Sequence, residues 1–105
     1  MSQISEVSPT AEHTSVDSIN IKRNNKVIQF KITTKSTTSI SSGARLGTVP
    51  SGYRPHLSVF GLVFTYSNGK PINGSVWIDG SGAIIYYGDT VSVQAVMFMT
   101  YVAGQ

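Results

Sequence analysis

Hydrophobic and polar side chains alternate along much of the chain after residue 17, which is the period of a β-strand. In residues 27–35, Ile28, Phe30 and Ile32 alternate with polar side chains, so the pattern predicts a strand with one buried face. By the same reasoning we expect further strands over residues 18–23, 56–66, 72–79, 83–87 and 90–102.

Turn residues separate these runs. The segments between them are Asn24-Asn25-Lys26, Ser67-Asn68-Gly69-Lys70 and Asp79-Gly80-Ser81-Gly82. Asparagine and glycine tolerate positive φ, and Asn68-Gly69 is typical of a type I′ hairpin turn. Residues 46–55 hold two prolines and two glycines, so we expect no regular structure through most of that segment. The chain is predicted to be all-β, an antiparallel sandwich or barrel of six to eight strands.

Two of the predicted strands are apolar on both faces. In residues 56–66, Val59 and Val63 lie on one face, whereas Phe60, Leu62 and Phe64 lie on the other. Residues 90–102 show a similar pattern. Such strands are packed on both sides within one domain or are buried in a subunit interface.

Residues 1–17 are rich in serine and threonine and keep no sustained period. We interpret them as a flexible arm or connector, and residues 18–105 as the folded domain. No apolar run approaches the roughly 20 residues of a membrane helix, so no membrane insertion is expected.

Charge is sparse, since charged residues make up 12% of the 105 residues and the net charge is +3. The basic residues Lys22, Arg23, Lys26, Lys31 and Lys35 lie within one short segment. This segment has two interpretations, a weak phosphate-binding patch or a solvated edge hairpin whose lysines discourage pairing with other chains. We favour the edge hairpin, because only Phe30 supplies an aromatic ring there, and we expect no nucleic-acid partner.

Few side chains in this sequence are suited to catalysis. There is no cysteine, and the only histidines are His13, in the predicted arm, and His56. Outside the arm the only acids are Asp79 and Asp89, each beside a glycine in a turn. Neither a nucleophilic triad nor a pair of glycosidase carboxylates is indicated. We therefore expect no enzymatic activity, no metal site and no cofactor.

The aromatic residues give a clearer indication of function. Trp77 alternates with Val76 and Ile78, so it should point away from the core that those two side chains fill. Tyr86 and Tyr87 are adjacent, so one of them should also face outward. Exposed aromatic rings beside polar groups are typical of saccharide sites. Burial of Trp77 against a neighbouring subunit explains the pattern equally well.

Three segments resemble a known family. The sequence Thr-Val-Pro-Ser-Gly-Tyr-Arg-Pro at residues 48–55, the hairpin Gly-Ser-Val-Trp-Ile-Asp-Gly-Ser-Gly-Ala-Ile-Ile-Tyr-Tyr at residues 74–87 and the closing Thr100-Tyr101 carry the likeness. They are similar to the C-terminal part of tail and baseplate proteins from phages of Gram-positive bacteria. The resemblance implies a β-sandwich or jelly-roll-like head domain in the virion, usually trimeric, which binds saccharide or teichoic-acid components of the host cell wall.

Together these observations lead to the expectation of a non-enzymatic virion head domain that binds host cell-surface saccharide and contacts other virion proteins through its N-terminal arm. The expected ligand-binding residues are Trp77, Asp79, Tyr86, Tyr87, His56 and Arg54. Two alternatives remain: a structural virion subunit whose aromatic residues mediate only oligomer contacts, and a carbohydrate-binding module of a wall-degrading enzyme.

Overall fold

A computed structural model of the chain describes residues 4–104, and among these residues it contains strands and no helix. The prediction of an all-β fold is confirmed. The strands are β1 (Ile4–Val7), β2 (Val16–Asn24), β3 (Val27–Thr34), β4 (Arg45–Thr48), β5 (Val59–Thr65), β6 (Pro71–Ile78), β7 (Ala83–Gly88) and β8 (Ala95–Val102).

All eight strands belong to one antiparallel sheet in the order β1-β2-β3-β8-β5-β6-β7-β4. The sheet curls upon itself. Strands β2 and β4 lie far apart in this order, yet the curl brings them into contact. A Cβ atom on Gly47 of β4 would lie 2.7 Å from Ile19 Cδ1 of β2. This curled sheet is a half-barrel, compatible with the predicted sandwich or barrel.

The inner face of the curl forms one hydrophobic core. Ile28, Phe30 and Ile32 of β3 are buried as their alternation predicts, and Met97 of β8 is fully buried opposite Ile32. In β3 and β8 every second residue is buried in the core, so the remaining side chains of these strands form the outer face of the sheet. The large exposed side chains lie on that outer face and in the loops.

Several local expectations require correction. Residues 46–55 are irregular through most of their length, as predicted, but the first three of them, 46–48, belong to the short strand β4. Pro50 lies just beyond its end, so proline does not interrupt the pairing with β7. The final strand begins only at Ala95, because the preceding segment makes a single bridge, between Val91 and Ile40.

The turns at Asn24-Asn25 and Asn68-Gly69 differ in their backbone geometry. Asn25 adopts a φ of 56°, as expected for the β2–β3 hairpin. At the second turn only Gly69 has a positive φ, of 65°, so the two-residue type I′ geometry is absent. The strands are joined there by a longer loop, which the Thr65 amide closes by donating to the Lys70 carbonyl at 2.8 Å.

The N-terminal segment lies against the sheet. β1 pairs with β2, and the Glu12 amide donates to the Leu46 carbonyl of β4 at 2.9 Å. Glu12 also forms an exposed ion pair with Arg45, with 3.2 Å between Oε1 and Nε. Ser15 is buried. The division into an arm over 1–17 and a domain over 18–105 stays a prediction, and residues 1–3 and 105 lie outside the described residues.

The lysine-rich hairpin does not form an edge of the sheet. β3 pairs with β8, and β2 is covered by β1. The interpretation that these lysines prevent pairing of a free sheet edge with other chains is therefore wrong.

Candidate functional site

Trp77 lies on the outer face of β6, as the alternation predicts. Its neighbours Val76 and Ile78 are fully buried, whereas 37% of Trp77 is exposed. Packing of Val76 and Ile78 in the core therefore directs the Trp77 side chain to the outer face of the sheet.

Trp77 belongs to an aromatic cluster that crosses three strands. The ring of Phe60 on β5 stacks on the indole, with 5.0 Å between centroids and 28° between the planes. Tyr87 on β7 meets it edge-on at 6.2 Å. The indole Nε1 donates to Ser75 Oγ at 2.8 Å. Phe60 was absent from the residues expected at the site, although it lies on the outer face of its strand. The cross-strand pairing of Phe60 with Trp77 brings it there.

The structure separates the two adjacent tyrosines. Tyr87 is 49% exposed, whereas Tyr86 is fully buried in the core and its hydroxyl donates to the Asp89 carbonyl. Burial raises the pKa of Tyr86, and the nearby Asp89 charge raises it further. Of the two tyrosines proposed for ligand binding, only Tyr87 is accessible, and Tyr86 must be corrected to a core residue.

Asp79 begins the turn between β6 and β7. Its Oδ1 accepts hydrogen bonds from the Ser81 hydroxyl at 2.6 Å, the Ser81 amide at 2.9 Å and the Ala83 amide at 3.1 Å. The hydrogen bond from the Ser81 hydroxyl, followed by those from the backbone amides, lowers the pKa of Asp79 below its ordinary value. The turn therefore holds an ionised carboxylate in a fixed orientation at the end of β6.

These groups surround a shallow pocket of about 200 Å³. It is lined by Ser58, Trp77, Asp79, Ala83, Ile85 and Tyr87. The pocket combines aromatic carbon with a hydroxyl and a carboxylate, the combination expected of a small polar ligand site. Ser58 was not among the expected residues, because it lies in the irregular segment before β5, where periodicity gives no orientation.

Arg54 and His56 line a neighbouring pocket of about 170 Å³, together with Pro55, Gly80 and Gly104. Gly80 directly follows Asp79, so the two pockets share one turn. The guanidinium Nε of Arg54 donates to the Val49 carbonyl at 2.8 Å, which orients this side chain. The expected polar partners are thus divided between two adjacent pockets.

Residues 4–104 show neither a metal-binding cluster nor a membrane-spanning helix. No group of three or more histidine, aspartate or glutamate side chains is arranged to hold a metal ion within that range. No helix there is long and apolar enough to cross a membrane.

Comparison with known proteins adds no identification. No protein-family model matches this chain, and no curated protein sequence matches it.

Proposed function

We propose that this chain is a non-enzymatic head domain of a phage tail or baseplate that binds saccharide on the host cell surface. The observation that carries the binding function is the pocket in which exposed Trp77 and Tyr87 adjoin the Asp79 carboxylate. The location in a virion, the homotrimer and the contact of the N-terminal arm with other virion proteins rest on the family resemblance described above.

The chemistry of the pocket supports a sugar ligand. One face of a pyranose is apolar and packs against aromatic carbon, while its hydroxyl groups need polar partners. Phe60 stacks on Trp77, so the rings together offer a wider apolar surface than the indole alone. Asp79 and Ser58 supply acceptor and hydroxyl groups at the rim.

The test is binding of Trp77→Ala to host cells and to purified surface polysaccharides. We expect binding to weaken roughly 5- to 150-fold, because loss of a stacking ring costs on the order of 1–3 kcal/mol. Tyr66→Ala is the matched control, since Tyr66 is 58% exposed and lies just beyond the opposite end of β5 from Phe60. Unchanged binding by a folded Trp77→Ala variant would refute the proposal.

A second function, the structural oligomer subunit, is favoured by the outer face of β5 and β8. Leu62 and Phe98 are paired in register, and 60% and 45% of them are exposed. At about 150–250 Å² for a whole aromatic side chain, Leu62, Phe98 and the Trp77 cluster leave roughly 500 Å² of apolar surface open. This is more than half of the roughly 800 Å² that each partner buries in a stable interface.

A second copy of this chain, as in a trimer, would remove that surface from water. A molar mass of one chain in light scattering, even at high protein concentration, would contradict this second function.

A further inference from the structure

The outer face of β2, β3 and β8 holds a second groove, away from the Trp77 pocket. Its volume is about 330 Å³. The residues that line it include Asn20, Lys22, Gln29, Lys31, Phe98 and Thr100. The strand register explains this grouping.

Two rows of cross-strand neighbours form the floor of the groove. In the first row Asn20 lies beside Lys31, which lies beside Phe98. The second row places Lys22, Gln29 and Thr100 side by side in the same way. Each row therefore combines an amide and a lysine with a third residue, an aromatic ring in one row and a hydroxyl in the other.

The groove carries a net positive charge, because two lysines stand against one adjacent carboxylate. Lys22 and Lys31 are both exposed, and none of the described residues that line it is acidic. The carboxylate nearest in register is Glu6, opposite Lys22 on β1, whose Oε2 accepts a hydrogen bond from Asn20 Nδ2 at 3.1 Å. Lys31 Nζ lies over the Phe98 ring, 5.9 Å from its centroid, so the ammonium group and the aromatic ring are within cation–π distance.

We propose that this groove binds the anionic group of an acidic saccharide, such as a phosphate ester or a carboxylate on a sugar. The lysines match the anion, the amide and hydroxyl groups match sugar hydroxyls, and Phe98 offers an apolar surface. This inference rests on the proposed saccharide function and names the class of saccharide.

The two sites lie on one continuous face of the sheet. Phe98 is paired with Leu62, and Leu62 with Ser75, which accepts the hydrogen bond from Trp77. A single extended glycan chain can therefore follow the face from the groove to the Trp77 pocket.

The test uses Lys31→Gln with Lys70→Gln as its matched control. Lys70 is an exposed lysine in the β5–β6 loop, so both variants lose the same charge. The probes are dextran phosphate, carboxymethyl dextran and uncharged dextran of equal length, titrated calorimetrically at low and high salt. Loss of one solvent-exposed hydrogen bond predicts roughly three- to tenfold weaker binding of a charged dextran to Lys31→Gln. The two charged probes distinguish phosphate from carboxylate.

The outcomes are separable. Equal affinities of Lys31→Gln and Lys70→Gln for both charged dextrans would refute the groove as a binding site, independently of the result for Trp77→Ala. Tighter binding of a single-stranded oligonucleotide than of either charged dextran, lost in Lys31→Gln, would overturn the saccharide class. If Trp77→Ala leaves polysaccharide binding intact while Lys31→Gln weakens binding of the charged dextrans, the Trp77 proposal fails and the groove stands.

Discussion

Replacement of Gly74 by alanine tests the packing that places Tyr86 in the core. An alanine Cβ at residue 74 would lie 2.1 Å from the Tyr86 hydroxyl oxygen and 2.7 Å from its ring Cζ. Both distances are far below van der Waals contact, and the ring is fully buried with its hydroxyl bonded to the Asp89 carbonyl. The tyrosine or the strand must therefore move.

The magnitude follows from opposing effects. Overpacking of a filled core costs about 1–3 kcal/mol. Alanine offsets part of this, because it restricts the unfolded chain and gains about 0.4–1 kcal/mol. We expect a net loss of about 1–2 kcal/mol in the free energy of unfolding, which lowers Tm by roughly 4–16 °C in a domain of this size.

The assay is urea denaturation, with Gly80→Ala as control. A Cβ on Gly80 would meet its nearest atom, the His56 carbonyl oxygen, at 3.4 Å, so that variant should differ little from the parent. Adding Tyr86→Phe to Gly74→Ala should recover part of the loss, since it removes the closest atom. If Gly74→Ala is as stable as Gly80→Ala, the burial of Tyr86 against Gly74 is refuted.

Two further predictions concern alkaline stability and association. Burial raises the pKa of Tyr101 well above its ordinary value of 10.0, so this group stabilises the fold fully below pH 10.0 and that contribution is lost as pH rises through the higher folded pKa. The urea midpoint should therefore fall above pH 10, and Tyr101→Phe should reduce this fall; an identical pH dependence in the variant would contradict the assignment to Tyr101. Leu62→Glu places a charge in the exposed apolar surface, so it should convert any oligomer to single chains in light scattering while Thr100→Glu, at another exposed position on the same face, has a smaller effect. An oligomer that withstands Leu62→Glu would exclude this face as the interface.

Alternation predicted β3 and the orientation of β6 because each of these strands has a clearly buried face. The positions of Ile28, Phe30 and Ile32 follow directly from period 2. The orientation of Trp77 could be predicted for the same reason, since Val76 and Ile78 fix which face is inside. Sequence could not choose between Tyr86 and Tyr87, because the adjoining Ile84 and Ile85 are both apolar.

The sequence alone could not predict which side chains are neighbours across strands. Phe60 meets Trp77, and Lys31 meets Phe98, only through the register of strands that are distant along the chain. The lysine-rich hairpin was misplaced at an edge for the same reason, since nothing in residues 22–35 reveals that β1 and β8 lie on either side. Strand β4 was missed because it has only four residues and the prolines that follow it indicated an irregular segment.

The central claim is that Trp77 contacts a saccharide, and the fluorescence of Trp77 tests it most directly because it is the only tryptophan in the chain. Host surface polysaccharide should shift the Trp77 emission and protect it from acrylamide, and the titration should saturate without a change in the number of chains per particle. An emission and a quenching constant that stay unchanged at polysaccharide concentrations that saturate binding would contradict the account.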